Sequence, residues 1–294
     1  RSLLREQRYD VIDVIETGDL AVFRLTWTGV IGRAEIMDGA HAGAIGGTSG
    51  NVTFNATAGA ITYTGTVSDA ITTTIAAGTL MVGSGSTTGA LNSTGVITNS
   101  GTLTFNRSDA MTVGAKISGT GALVDQGAGT LTLTGANDYT GNTTLTAGTL
   151  ALGSASALGT GGTISFGGGT LQFASGFTTD YSGRFSTAAN QAYSLDTNGQ
   201  SVTLASALSS SGGTLTKLGT GTLTLAGANS YTGATTVSAG TLALTNAAGL
   251  GTTAAGTTVA NGATLDLLPA NASTYTGIER IDLATDTAAN TLNL

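Results

Sequence analysis

Cysteine is absent, proline occurs once at Pro269, and histidine once at His41. Without cysteine there is no disulfide framework. A single histidine excludes a two-histidine zinc site and forces any Ser-His-Asp triad to run through His41, which lies in the Asp38–Ala44 junction and reads as an exposed turn residue rather than a catalytic one. Charge is scarce too: 9% of residues, against roughly a quarter in ordinary soluble domains. The net charge of −7 and a pI near 4.4 argue against nucleic acid, whose phosphates demand a basic patch. Aromatics make up 5%, with one tryptophan, which is thin for a sandwich core. No uninterrupted apolar run is long enough for a membrane helix, and no charged segment followed by an apolar one opens the chain. With no initiator methionine either, it reads as part of a longer protein.

What is abundant is glycine, with 46 residues, and an internal repeat. GTLTLTGANDYTGNTTLTAGTLALGSASALG at 129–159 and GTLTLAGANSYTGATTVSAGTLALTNAAGLG at 221–251 align without a gap at an offset of 92, with 22 of 31 positions identical. Long-period self-similarity marks stacked units, none of which buries its apolar face alone. Within each copy leucine and threonine alternate strictly, as in Thr130-Leu131-Thr132-Leu133 and Thr222-Leu223-Thr224-Leu225. That period of two predicts half-buried strands with Leu131, Leu133, Leu150, Leu152, Leu223, Leu225, Leu242 and Leu244 inside, and with Thr130, Thr132, Thr222 and Thr224 outside. Weaker versions at 78–82, 101–105, 169–173 and 263–267 carry the pattern through most of the chain.

Collagen is excluded because glycine has no period of three, and the 40% apolar content excludes charge-driven disorder. Between a closed sandwich and a coil that stacks on itself, the scarcity of aromatics and the recurring Leu, Val, Ile and Ala favour the coil. The expected fold is all-β, a parallel β-helix (β-solenoid) over 46–268. At about 20 to 25 residues per coil the offset between the copies represents roughly four coils, and at about 4.8 Å per stacked strand the rod is about 50 Å long.

The run Gly-x-Gly-Thr-Leu-Thr-Leu-x-Gly-Ala-Asn-x-Tyr-Thr-Gly-x-Thr-Thr, followed by Ala-Gly-Thr-Leu-Ala-Leu, stands at 127–152 and 219–244. With the lead-ins at 121–127 and 213–219, it resembles the passenger-associated β-strand repeat of bacterial autotransporter proteins. The resemblance implies a right-handed parallel β-helix, displayed on or released from the surface of Gram-negative bacteria, whose full-length form adds a signal peptide and an outer-membrane barrel. It implies no ligand. Lack of cysteine suits a chain that crosses an oxidising periplasm unfolded. In the Gly-Ala-Asn-x-Tyr-Thr-Gly turns, Asn137 and Asn229 are expected to bond local backbone, and Tyr139 and Tyr231 to cap the apolar lumen at a coil corner.

The ends differ in composition. Residues 1–40 hold 12 of the 27 charged side chains, so 1–45 reads as a separate segment, with Tyr9–Ile15 and Leu20–Trp27 as a β-hairpin. Residues 19–29 faintly resemble a strand of the cystatin-like cyclase family, without any catalytic residue. Residues 269–294 resemble the start of a further adhesin-type module.

Sites are sparse. Nucleophile-elbow, phosphate-loop, dinucleotide and calcium-nonapeptide motifs are all missing. The acids Asp180, Asp196, Glu279, Asp282 and Asp286 are scattered, and Lys116, Lys217, Arg107 and Arg184 form no cluster with them. The expectation is therefore no enzyme activity, no catalytic, cofactor-binding or metal-binding residues, and no cofactor. Six Asn-x-Ser/Thr triplets, at Asn51, Asn55, Asn92, Asn106, Asn142 and Asn271, arise easily in a chain this rich in those residues. The leading function is a surface-exposed stalk or adhesin, with host or matrix glycans or proteins and other modules of the same polypeptide as partners, and with neither nucleic acid nor a membrane span. The alternatives are a β-helical polysaccharide-degrading enzyme, which requires acids converging in a groove, and an ice- or surface-binding protein reading threonine ladders.

Overall fold

Alternating leucines need a partner surface on one side only, and here the partner of each coil is the coil before it. In a computed structural model, described over residues 50–67, 71–252 and 255–267 and in six short strands at the ends, the chain winds as a parallel β-solenoid of about ten turns. At about 4.8 Å per turn this is a rod of about 50 Å. Among the described residues there is no α-helix, and so none long and apolar enough to cross a membrane; a single 3₁₀ turn, Ser182–Arg184, interrupts the strands.

One line of side chains shows how the coils register. Leu131 lies under Leu150, which lies under Leu171, then Leu195, then Lys217. All five are at most 3% exposed. The neighbours Thr130 and Thr132, like Thr222 and Thr224, face outward and are half-buried, while the eight leucines expected inside are all buried. Each buried leucine contributes about 1.5–3 kcal/mol relative to an exposed one, and like on like in register lets every coil reuse the same narrow lumen.

The coils are not of one length. The chain returns from Leu131 to its stacking partner Leu150 in a short circuit, and takes a visibly longer one from Leu171 to Leu195. The wider coil has more lumen to fill and carries an aromatic cluster: Phe166 meets Phe185 edge-on at 4.9 Å and Tyr193 at 5.4 Å. Few aromatics suffice because they gather where the coil widens.

The two repeat copies do not occupy the same faces. In the first, Ala122–Asp125 belongs to a ten-stranded sheet and Thr130–Leu133 to a nine-stranded one. In the second, the equivalent Thr214–Leu218 joins the nine-stranded sheet and Thr222–Leu225 a five-stranded one. Four coils above Leu131 sits Lys217, the counterpart of Asp125, whereas the counterpart of Leu131 is Leu223 on the next face. The offset between the copies is thus four coils and one face rather than four coils. Four circuits of the rod use up less chain than the motif spacing supplies, and the surplus carries the second copy round to the next face.

Two strands, Gly50–Tyr63 and Ile71–Ser86, are far longer than the rest, with irregular register between them. Ile71–Ser86 pairs with both Val96–Asn99 and Thr102–Arg107, so it supplies two faces in succession. Toward the amino terminus Val14–Thr17 and Leu20–Phe23 pair antiparallel as a hairpin, with residues 9–13 of the expected first strand and 24–27 of the expected second outside the described residues. Parallel pairing extends beyond 46–268: Ala34–Ile36 and Gly39–His41 pair with Gly50–Tyr63, and Ile281–Leu283 and Thr291–Asn293 continue the nine- and five-stranded sheets.

The glycine ending each repeat has a steric reason. Gly159 has φ +61°, and a Cβ there would lie 2.3 Å from the Tyr139 carbonyl oxygen and 2.9 Å from its ring; Gly251 stands in the same relation to Tyr231. Gly176 has a similar φ of +82° but open space around it. Gly159→Ala is therefore expected to lower the denaturant midpoint more than Gly176→Ala: the second loses only the left-handed backbone preference, about 1–2 kcal/mol, and the first adds the displacement of a buried tyrosine, for a total of about 2–4 kcal/mol.

Candidate functional site

The polar residues of the repeat turn inward and bond from coil to coil. Asn137 Oδ1 accepts from the Ile117 amide of the coil below, 2.8 Å, while its Nδ2 donates to the Ala157 carbonyl of the coil above, 2.7 Å. Asn229 bridges Leu208 and Gly249 identically, with Oδ1 accepting and Nδ2 donating. At a corner, where the strand ladder lapses, one amide side chain thus satisfies a donor and an acceptor that burial would otherwise leave unpaired. Tyr139 and Tyr231 are fully buried, and their hydroxyls meet those of Thr143 and Thr235 at 2.8 and 2.5 Å. Burial pushes the Tyr139 hydroxyl up to about 12. They fill the lumen rather than lid it, which leaves neither ring free to touch a ligand.

A contrast between the copies appears at the end of the lead-in strand, where the same inward position holds opposite charges. Lys217 is 0% exposed, and its ammonium donates to three carbonyls, those of Leu218 at 2.9 Å, Gly219 at 2.7 Å and Ala239 at 3.0 Å. Burial lowers it to about 8, with Asp196 opposing that shift. Asp125 is 2% exposed, and its Oδ2 has no hydrogen-bond partner. Burial raises it to about 7, opposed only by the Gly127 amide. Neither position stands out by motif, yet the signal was present: Leu123 and Asp125, like Leu215 and Lys217, are two apart on an inward-facing strand.

Apart from Asp266, whose Oδ1 is buried without a hydrogen-bond partner, the remaining charges of the rod serve its own cohesion. Arg107 pairs with Asp109 through two bonds of 2.8 and 2.7 Å and donates to the Gly89 carbonyl. Lys116 meets Asp138 at 2.6 Å, and each acid is held below the usual carboxylate range by its cationic neighbour. Arg184 reaches back one coil to the carbonyls of Leu158, Gly159, Gly161 and Gly162. A shallow open depression beside it is lined by Gly162, Thr163 and Thr187.

Asp180 and Asp196 are not brought into one cleft with a base. Asp180 caps the Ser182 and Ala205 amides, and Asp196 accepts from the Asn198 amide and the Gln172 side chain. Asp282 lies in the strand Ile281–Leu283 and His41 in Gly39–His41, with their side chains outside the described residues; Glu279 and Asp286 lie wholly outside them. Among the described residues no group of three His, Cys, Asp or Glu side chains is placed to hold a metal.

The Lys217 geometry carries a signed pH dependence. Above pH 8 the folded chain releases this proton while the unfolded chain retains it up to the ordinary value of 10.5, so stability rises with pH through that window. The denaturant midpoint of the chain is expected to climb between pH 8 and about 9.5. Lys217→Met, which has no proton to release, should abolish the climb.

A family model described as passenger-associated-transport-repeat matches residues 123–152 and 215–244. Each match covers two strands, the Asn-Tyr turn and two further strands, which is about one and a half coils. No curated protein and no solved structure matches the chain. Two segments of the chain thus match the passenger-associated-transport-repeat, and both lie on a parallel β-solenoid.

Proposed function

We propose that this chain is the exported, surface-displayed passenger of an autotransporter-like protein and works as a stalk or adhesin rather than as an enzyme. The observation that carries the reading is that the two matched repeats lie in one continuous solenoid. Its polar residues, Asn137, Asn229, Lys217 and Arg184 among them, are committed to joining one coil to the next. Polar groups occupied in holding coils together favour a load-bearing spacer that presents other modules of the polypeptide.

The flank of such a rod offers half-buried threonines in ladders, for example Thr130, Thr149 and Thr170 with Ser194, and Val96 is its one exposed large apolar side chain among the described residues. A neutral, hydroxyl-rich surface suits weak, multiple contacts with host or matrix glycans or proteins better than a tight apolar interface.

Fusion of the chain between a signal peptide and an autotransporter barrel in a Gram-negative host tests the export reading. Added protease should cleave the passenger on intact cells. A passenger that remains protected while the barrel is folded in the outer membrane sinks the proposal.

A further inference from the structure

The mispaired position of the first repeat has a chemistry of its own. Asp125 stacks on Phe105 of the coil below and under Leu145 of the coil above. Thr143–Leu145 carries no titratable group. Below, a cavity of about 10 Å³ lies between the coils, lined by Asp125, Phe105, Arg107, Asp109, Met111 and Leu131 among others. That is about the room one water needs. Arg107 and Asp109 are the only charged groups lining it besides Asp125, and they are tied to each other in a two-bond pair, with Arg107 also anchored to the Gly89 carbonyl. Asp125 thus has a single partner, the Gly127 amide, and one buried oxygen with none. In the second copy the same place is held by Lys217, whose charge is met by three carbonyls.

We propose that Asp125 makes the first repeat a proton-operated joint in the rod: with the carboxyl protonated the coils at 122–145 close on one another, and with it ionised they open locally. A neutral carboxyl tolerates the apolar stack, whereas a carboxylate there has no free counter-charge, and because the cavity below holds no more than one water, its fuller hydration requires the strand Ala122–Asp125 to part from its neighbours. The sign follows from the proton balance. In the opened coil Asp125 ionises near its ordinary value of 3.8, and in the closed coil it holds its proton to about 7. Closure therefore loses stability as pH rises from about 4 to about 7 and changes no further above that. The second copy has no such window, because Lys217 titrates only from about 8 upward. On the surface-display reading proposed above, the rod would be stiff at its first repeat in acid and soft there at neutral pH.

Amide hydrogen exchange on the full chain between pH 4 and pH 7.5, corrected for intrinsic rates, tests the joint. Protection of Leu123, Val124 and Thr144 is expected to fall at least tenfold and at most about a thousandfold across that range, while Leu215 and Thr216 hold theirs. Asp125→Asn, which copies the protonated group, should flatten the fall. A wild-type fall no larger than in Asp125→Asn, or equal in both copies, overturns the proposal. Should the variant not fold, the carboxyl ¹³C titration of Asp125 in the wild-type chain decides: a midpoint near 7 supports the joint, and one near 4 refutes it.

Discussion

Each coil of this rod encloses a lumen only one side chain deep, so nothing inside a coil shields its backbone except the coils on either side. Parallel register between coils is the constraint from which the other features descend. It stacks Leu131, Leu150, Leu171 and Leu195 in one line. It also sends corner amides and carbonyls to partners one coil away wherever a tight turn within the coil, such as Ala157 to Ser154 or Gly249 to Asn246, does not pair them. The asparagines of the turns answer that demand, as do Arg184 and Lys217, which use long cationic side chains where amide side chains do not reach.

The same constraint explains why chemistry is hard to locate on the surface. A side chain that bonds between coils is not available to a ligand, and the residues with reactive potential in this sparse inventory are largely those. Asp180 and Asp196, the two acids whose convergence would indicate a polysaccharide-cleaving site, each hold two donors of the fold. What the rod leaves facing outward is hydroxyl and amide, chemistry suited to length and solubility.

Much of this was legible from residue patterns. Period-two alternation placed the eight leucines and the four flanking threonines on their faces; the turn motif marked Asn137 and Asn229 as backbone partners, but their partners are not the local backbone expected and lie on the coils below and above. Less legible was how coil length varies. Glycine-rich corners absorb or release residues without disturbing the strands, so the short circuit from Leu131 to Leu150 and the long one from Leu171 to Leu195 look alike in composition. The drift of the motif by one face follows from that variation and appears only when the registers are added. The tyrosines lie inside rather than capping a corner, because a buried threonine hydroxyl within reach, Thr143 or Thr235, pairs the phenol there. Asp125 and Lys217 were hidden for a different reason: alternation pointed both inward, but a charge at the end of an apolar strand reads as the first residue of a turn.

The displacement of the second copy by one face has a consequence for how such rods meet their surroundings. Successive copies are related by a screw operation, an advance of about 21 Å along the axis at about 4.8 Å per coil combined with about a third of a revolution. A flat surface lying along one flank therefore touches the same motif once, and a third copy would not restore it either; the fourth would. Duplication of this unit lengthens the molecule without multiplying its grip on any planar partner, so tandem copies bring no avidity against a membrane or a sheet of fibre. Against a mesh that surrounds the rod, the same screw distributes identical contacts in every direction.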